Sequence, residues 1–230
     1  MVFFAAMNTP DFPFKHIIWD WNGTLLDDKW LCIESINQVL GIRRLPPIDE
    51  TIYNRIFGFP VRDYYVKAGF EFTDEPYEKP ALEFIERYDS RKHECRLQAG
   101  ARDVLGELHQ MGCSQYLLSA SETGVLTEMI RLKEIDQYFL KVKGLDNHYA
   151  HGKADLGIEL LSEINPEPGT VLMIGDTCHD EEVARIMGIP SLLFTGGHFT
   201  AERLKSCTSQ LINSLDEVII TASGLNPLHG

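Results

Sequence analysis

The sequence predicts an α/β protein: a parallel sheet covered by helices on both faces, with a smaller helical unit inserted after the first strand. Three observations carry this. Four short apolar runs, His16–Trp19, Gln115–Leu118, Val171–Ile174 and Ser191–Phe194, have the length and flanks of buried parallel strands. Helical patterns separate the later three, which is the alternation of a sheet covered on both sides. Residues 29–92 break that alternation with helical segments alone.

Taken in order, Ile17-Ile18-Trp19 forms the first strand and ends at Asp20, followed by the tight polar turn Asn22-Gly23-Thr24. LCIESINQVLGI, IYNRIF, VRDYYVKAGF and YEKPALEFIERYD then read as helices, joined by Pro46-Pro47, Gly58-Phe59-Pro60 and Thr73–Pro76. Ala101–Met111 is amphipathic, with Val104, Leu105, Leu108 and Met111 on one face. Glu122–Lys133, Lys153–Glu163 and Asp180–Met187 are the remaining helices of the alternation. Gly112, Gly188 and Pro190 stop helices ahead of strands. After Ser206 the chain reads as one last helix, SLDEVIITA, and a frayed end.

At 230 residues the chain can bury one core and a smaller second unit. Its formal net charge of −13 offers no basic face to nucleic acid and disfavours an anionic membrane. A phosphorylated ligand would need a locally positive pocket. The five cysteines Cys32, Cys95, Cys113, Cys178 and Cys207 are widely spaced without a CxxC pair, so reduced thiols and a cytoplasmic location are expected. The opening MVFFAAMNTPDFPF lacks a basic region and is broken by prolines, unlike a signal peptide or a membrane span.

The chemistry sits where the predicted strands end, because ligands of open parallel sheets bind at the carboxyl ends of their strands. Asp20 follows the first strand, Ser119 the second, and Gly175-Asp176-Thr177 with Asp180 the third; Lys153 opens an intervening helix. Singly, each reads as a cap or a solvated side chain. Together they place carboxylates, a hydroxyl and an ammonium in one crevice, a set suited to phosphoryl transfer with a hard divalent cation.

Those residues resemble the motifs of the haloacid dehalogenase (HAD)-like hydrolase superfamily. Asp20-Trp21-Asn22-Gly23-Thr24 matches the first motif, Leu117-Leu118-Ser119 the second, Lys153 the third and GDTCHD at 175–180 the fourth. FGFPVRDYY and GDTCHDEEVA resemble the phosphoglycolate phosphatase-like branch. The resemblance implies a Rossmann-like core domain over residues 1–28 and 93–230 and a helical cap domain over 29–92. It further implies a magnesium-dependent phosphatase of a small phosphorylated metabolite, working through an aspartyl-phosphate on Asp20 as a monomer or homodimer. Magnesium would be held by Asp20, the main-chain carbonyl of Asn22, and Asp176, with Thr24 and Asp180 in support. Gly23, Ser119, the amide of Ala120 and Lys153 would cradle the phosphoryl group. In the cap, Phe59 would exclude water and Arg62 pair with a second anionic group on the substrate.

One position departs from that pattern. Family phosphatases carry an aspartate two residues after the nucleophile as general acid and base, and Asn22 stands there. An amide cannot shuttle a proton, so a factor of roughly a hundred to ten thousand is at stake. The readings are a slow phosphatase, a catalytically weak phosphate-binding or regulatory protein, an acid generated by deamidation at Asn22-Gly23, or a substitute proton donor at His179 or His198, each of which reads first as a surface histidine. A phosphonate hydrolase using Lys67 is a lesser alternative.

Overall fold

The computed structural model describes residues 12–145 and 152–225. The opening read above as no leader therefore lies largely outside the described residues, as does the end of the frayed tail. Eight strands and ten helices are found among the described residues: β1 His16–Trp19, β2 Leu26–Asp27, α1 Lys29–Ile42, α2 Glu50–Ile56, α3 Val61–Lys67, α4 Glu78–Arg91, β3 Arg96–Leu97, α5 Ala101–Gln110, β4 Ser114–Glu122, α6 Thr123–Leu132, β5 Phe139–Leu145, α7 Lys153–Ile164, β6 Val171–Gly175, α8 Cys178–Met187, β7 Ser191–Phe194, α9 Ala201–Leu204, β8 Gln210–Ile212 and α10 Val218–Ser223.

Six strands pair in the order β5-β4-β1-β6-β7-β8, all parallel, and β2 pairs antiparallel with β3 beside them. The chain fills one half of the sheet outward from β1 and then returns to fill the other. The order therefore reverses at β1, which makes its carboxyl end the crevice of a Rossmann-like sheet.

Alternation along the central strands divides the core. Ile17, Trp19, Leu117, Leu172 and Ile174 face α5, α6 and α10, while Ile18, Tyr116, Leu118 and Met173 face Leu160 of α7 and Val183, Ala184 and Met187 of α8. Helices α1 to α4 build a separate cluster from Ile36, Val39, Leu40, Tyr53, Tyr64, Tyr65 and Phe70. No helix among the described residues is long and apolar enough to cross a membrane.

Two strands beyond the expected four join the sheet, at its edges: β5 and β8. Helix α8 starts two residues before the expected Asp180, because Thr177 and Asp180 cap its first turn reciprocally. The expectation of wholly reduced thiols is not met. The chain after α9 folds back on the start of α8, and Cys178 and Cys207 form a disulfide with Cα atoms 6.0 Å apart; Cys32, Cys95 and Cys113 are free.

Candidate active site

The crevice at the end of β1 brings Asp20, Lys153, Asp176 and Asp180 together from β1, α7, β6 and α8. Asp20 and Asp176 follow paired strands: Trp19 lies beside Ile174, and the amide of Asp20 donates to the Ile174 carbonyl at 2.9 Å. Lys153 opens α7 and is buried; its Nζ donates to Oδ1 of Asp20 and Oδ1 of Asp180, each at 2.5 Å. The other oxygen of Asp180 accepts from the amide and hydroxyl of Thr177, so Asp180 fixes the motif turn and orients Lys153. Thr24 is fully buried, and its hydroxyl lies 3.1 Å from Asp20 Oδ2 and 3.2 Å from Asp176 Oδ1.

The electrostatics of this cluster are incomplete. Burial pushes the carboxyl of Asp20 upward, and Lys153 offsets only part of that. Asp176 is pushed up as well: burial outweighs the pull of His198, and repulsion from Asp20 and Asp180 adds to it. Asp180 stays below the ordinary range, since Lys153 and the Thr177 donors overcome its burial. Lys153 is held charged by Asp180 and Asp20 despite its own burial. Three carboxylates thus share one ammonium, and one oxygen from each of Asp20, Asp176 and Asp180 lies within 4.8 Å of the others. An all-oxygen donor set with uncompensated charge fits a hard cation such as magnesium.

The turn between β1 and β2 shapes the rim. Gly23 adopts φ +79°, and a Cβ there would collide with the Asp176 carboxylate and the His198 ring. Only glycine meets both demands. Gln98 donates to the Gly23 carbonyl at 3.0 Å and holds the turn from outside. Ser119 is buried within β4, just past Leu118 where the pairing with β5 shifts register, and its hydroxyl accepts from the amide of Ser121, while Ala120 is exposed.

Beside the acidic cluster lies a second buried network, centred on Asp28. This carboxylate receives the amide of Gly23 (2.9 Å), Nδ2 of Asn22 (2.8 Å), the hydroxyl of Tyr88 (2.7 Å) and Nε2 of His198 (3.2 Å). Burial would raise Asp28, but the charge and hydrogen bond of His198, with the Asn22 and Tyr88 donors, bring it below its ordinary value. Against burial, Asp28 raises His198 to about 9. The other ring nitrogen of His198 meets the hydroxyl of Tyr53 at 2.9 Å, and its backbone amide donates to Asp176 Oδ2 at 2.5 Å. His198 is therefore no surface histidine; it joins the two networks.

The helical unit places its two candidate residues, Phe59 and Arg62, on separate ring contacts. Phe59 is half exposed and lies tilted against His179 at 4.8 Å between ring centroids; His179 lies near the surface with Glu182. Arg62 does not turn to the carboxylates. Its guanidinium lies over Phe72, in the aromatic cluster of the helical unit, because a nearby ring face can satisfy an exposed arginine there. The arginine that ties the two units is Arg203, on α9, donating to the carbonyls of Asn54 (3.1 Å) and Phe57 (2.5 Å) and lying over the Phe199 ring. Lys67 is exposed at the end of α3, which gives the phosphonate reading no support.

Sequence reasoning passed over Asp28, Tyr53, Tyr88, Ser121 and Arg203. Asp28 had a signal: it is the second of two adjacent acids closing the first motif run.

Residues 17–194 match the family model described as "Haloacid dehalogenase-like hydrolase". The chain belongs to that family. A phosphoglycolate phosphatase of Caulobacter vibrioides is 27% identical over 205 residues, covering 85% of each chain. The tyrosine-protein kinase PtkA of Mycobacterium tuberculosis is 22% identical over 207 residues, 88% of this chain and 70% of the relative. Among solved structures, the haloacid dehalogenase-like family protein SP0104 of Streptococcus pneumoniae superposes with a TM-score of 0.79 at 22% identity, covering 91% of this chain and 98% of that one. Together with the family match, these likenesses establish an α/β HAD-like hydrolase fold.

Proposed function

We propose that this protein is a magnesium-dependent phosphatase of small phosphorylated metabolites. The observation that carries the reading is the meeting of Asp20, Lys153 and Asp176 at the ends of β1 and β6. Its phosphatase-named relatives support the same chemistry.

Asp20 is the nucleophile. Its Oδ2, which accepts from Thr24, would be the attacking oxygen, while Oδ1 is anchored on Lys153. Attack forms an aspartyl-phosphate and expels the substrate oxygen. Lys153, kept protonated by its two carboxylates, offsets charge on the nucleophile and on the incoming phosphoryl group. Ser119, the amide of Ala120 and the turn at Gly23 cradle the phosphoryl oxygens. Asp20, the Asn22 carbonyl and Asp176 are the groups to hold magnesium, which when bound neutralises charge on the phosphoryl oxygens. Asp180 supports that set by positioning Lys153.

In this reading residues 29–92 form the cap over a core of residues 1–28 and 93–230, with Phe59 at its edge. The acidic chain, at −13, works without nucleic acid or membrane, as a monomer or homodimer in the cytoplasm. A phosphate-binding regulatory protein is the second reading, and the observation favouring it is that both hydrogens of the Asn22 amide are already engaged.

A panel of phosphate esters with and without magnesium tests the proposal. At least one ester should turn over with magnesium, and Asp20→Asn should abolish the turnover. Binding of a metal-fluoride phosphate mimic without any turnover would replace the enzyme by the binding protein.

A further inference from the structure

Asn22 stands two residues from the nucleophile, and the surrounding network determines which of its atoms is available. Nδ2 donates to Asp28 Oδ2 and to the Tyr88 hydroxyl, both at 2.8 Å. Oδ1 accepts from the Ser121 hydroxyl at 2.9 Å. Asp28 is wholly buried and, as a carboxylate, can only accept, so the NH2 end must face it. An amide NH2 has two hydrogens, and both are spent. Tyr88 spends its own hydrogen on Asp28, at 2.7 Å. Nothing on the Asn22 side chain is left to donate to a departing oxygen.

We infer that Asp28 locks Asn22 as an acceptor only, and that the site is thereby specific for phosphoryl compounds whose leaving group departs without a proton: aryl and acyl phosphates rather than alkyl phosphates. This rests on the phosphatase reading and narrows its substrate class. The steps balance without a donor. An oxygen of Asp20 bonds to phosphorus while the bond from phosphorus to the leaving oxygen breaks, and that electron pair leaves with a phenolate or carboxylate. Water then bonds to phosphorus, the Asp20–phosphorus bond breaks, and its electron pair returns to the carboxylate. The proton released by the water departs on the phosphate product. An alkoxide is too basic to leave in the first step unprotonated. With no base at position 22 to assist water, the second step is slow and phosphoenzyme accumulates.

The same geometry makes positions 22 and 28 one unit. A carboxylate at 22 has no hydrogen to offer Asp28 and would stand against it in a buried site. Moving the acid back to position 22 therefore requires an amide at 28: Asn22→Asp with Asp28→Asn restores one donor and one carboxylate with their places exchanged.

The test is kcat/KM with magnesium for a series of aryl phosphates and for glycerol phosphate, in the wild type, N22D and the N22D/D28N double variant. In the wild type, the rate should fall steeply with leaving-group basicity, glycerol phosphate lying about a hundredfold or more below p-nitrophenyl phosphate. A burst of nitrophenolate equal to the enzyme should precede steady turnover. The double variant should recover at least about tenfold on glycerol phosphate and lose the burst, while N22D alone should not. Wild-type glycerol phosphate hydrolysis within about tenfold of p-nitrophenyl phosphate would overturn the inference, as would full recovery in N22D alone. If the double variant melts early by circular dichroism, the wild-type series and burst still decide. Absence of both turnover and burst with every ester would instead sink the phosphatase reading beneath it.

Discussion

Two buried clusters share the floor of this crevice and handle charge in opposite ways. Around Asp20, Asp176 and Asp180, three carboxylates share the single ammonium of Lys153, and burial holds two of them above their ordinary range. Around Asp28, one carboxylate receives Gly23, Asn22, Tyr88 and His198, and it sits below its ordinary value. The first cluster is short of positive charge, which in the proposed function a bound cation supplies. The second is complete as it stands. Their contact at His198, which donates to Asp176 through its backbone and to Asp28 through its ring, means that the completed cluster props up the incomplete one.

The largest expected effect falls on the first cluster's chemistry. Asp20→Asn should lower turnover on the order of a thousandfold or more and abolish phosphoenzyme, checked by acid-quench mass spectrometry. Stability should then separate the clusters. Asp28→Asn removes the counter-charge of buried His198 and should destabilise the protein by about 3 kcal/mol in denaturant titration. Asp176→Asn should do the reverse in metal-free buffer. Its carboxyl is pushed up to about 8, far above the value of an unfolded aspartate. An acid raised in the folded state carries a penalty that is absent below the unfolded pKa and full above the folded one. At pH 9 the variant should thus be more stable than wild type by about 2 kcal/mol, and at pH 3 the advantage should vanish. Equal losses from both substitutions would erase the contrast. The smallest effect is at the second cluster's edge: Tyr88→Phe removes one hydrogen bond to Asp28 and should cost about 1 kcal/mol.

The legible part of the fold was the part buried on both faces. β1, β6 and β7 are continuous apolar runs because helices cover both sides of them. β5 escaped notice because it is an edge strand: Leu140 is exposed, and Lys141 and Lys143 reach out to Glu163 and Glu159 of α7. FLKVKGL therefore has no unbroken apolar run to read. β8, of three residues, is too short to show a period. At the site, Asp20, Lys153 and Asp176 were legible from their places at strand ends and a helix start. The Asp28 network was not, since Tyr88 and His198 reach it across 60 and 170 residues of chain and no local pattern records that meeting. Arg62 shows the same limit in reverse. Its place beside Gly58-Phe59-Pro60 gave no sign of Phe72, outside that segment, over whose ring its guanidinium lies.

Calorimetric titration of magnesium into the wild type and Asp176→Asn, at pH 7 and pH 9, tests most directly whether the first cluster is a cation site. Protons compete with the cation for Asp176, so one site should bind more tightly at pH 9 than at pH 7, and binding should be lost in the variant. No heat of binding at either pH, or binding that neither pH nor the substitution alters, would contradict the account.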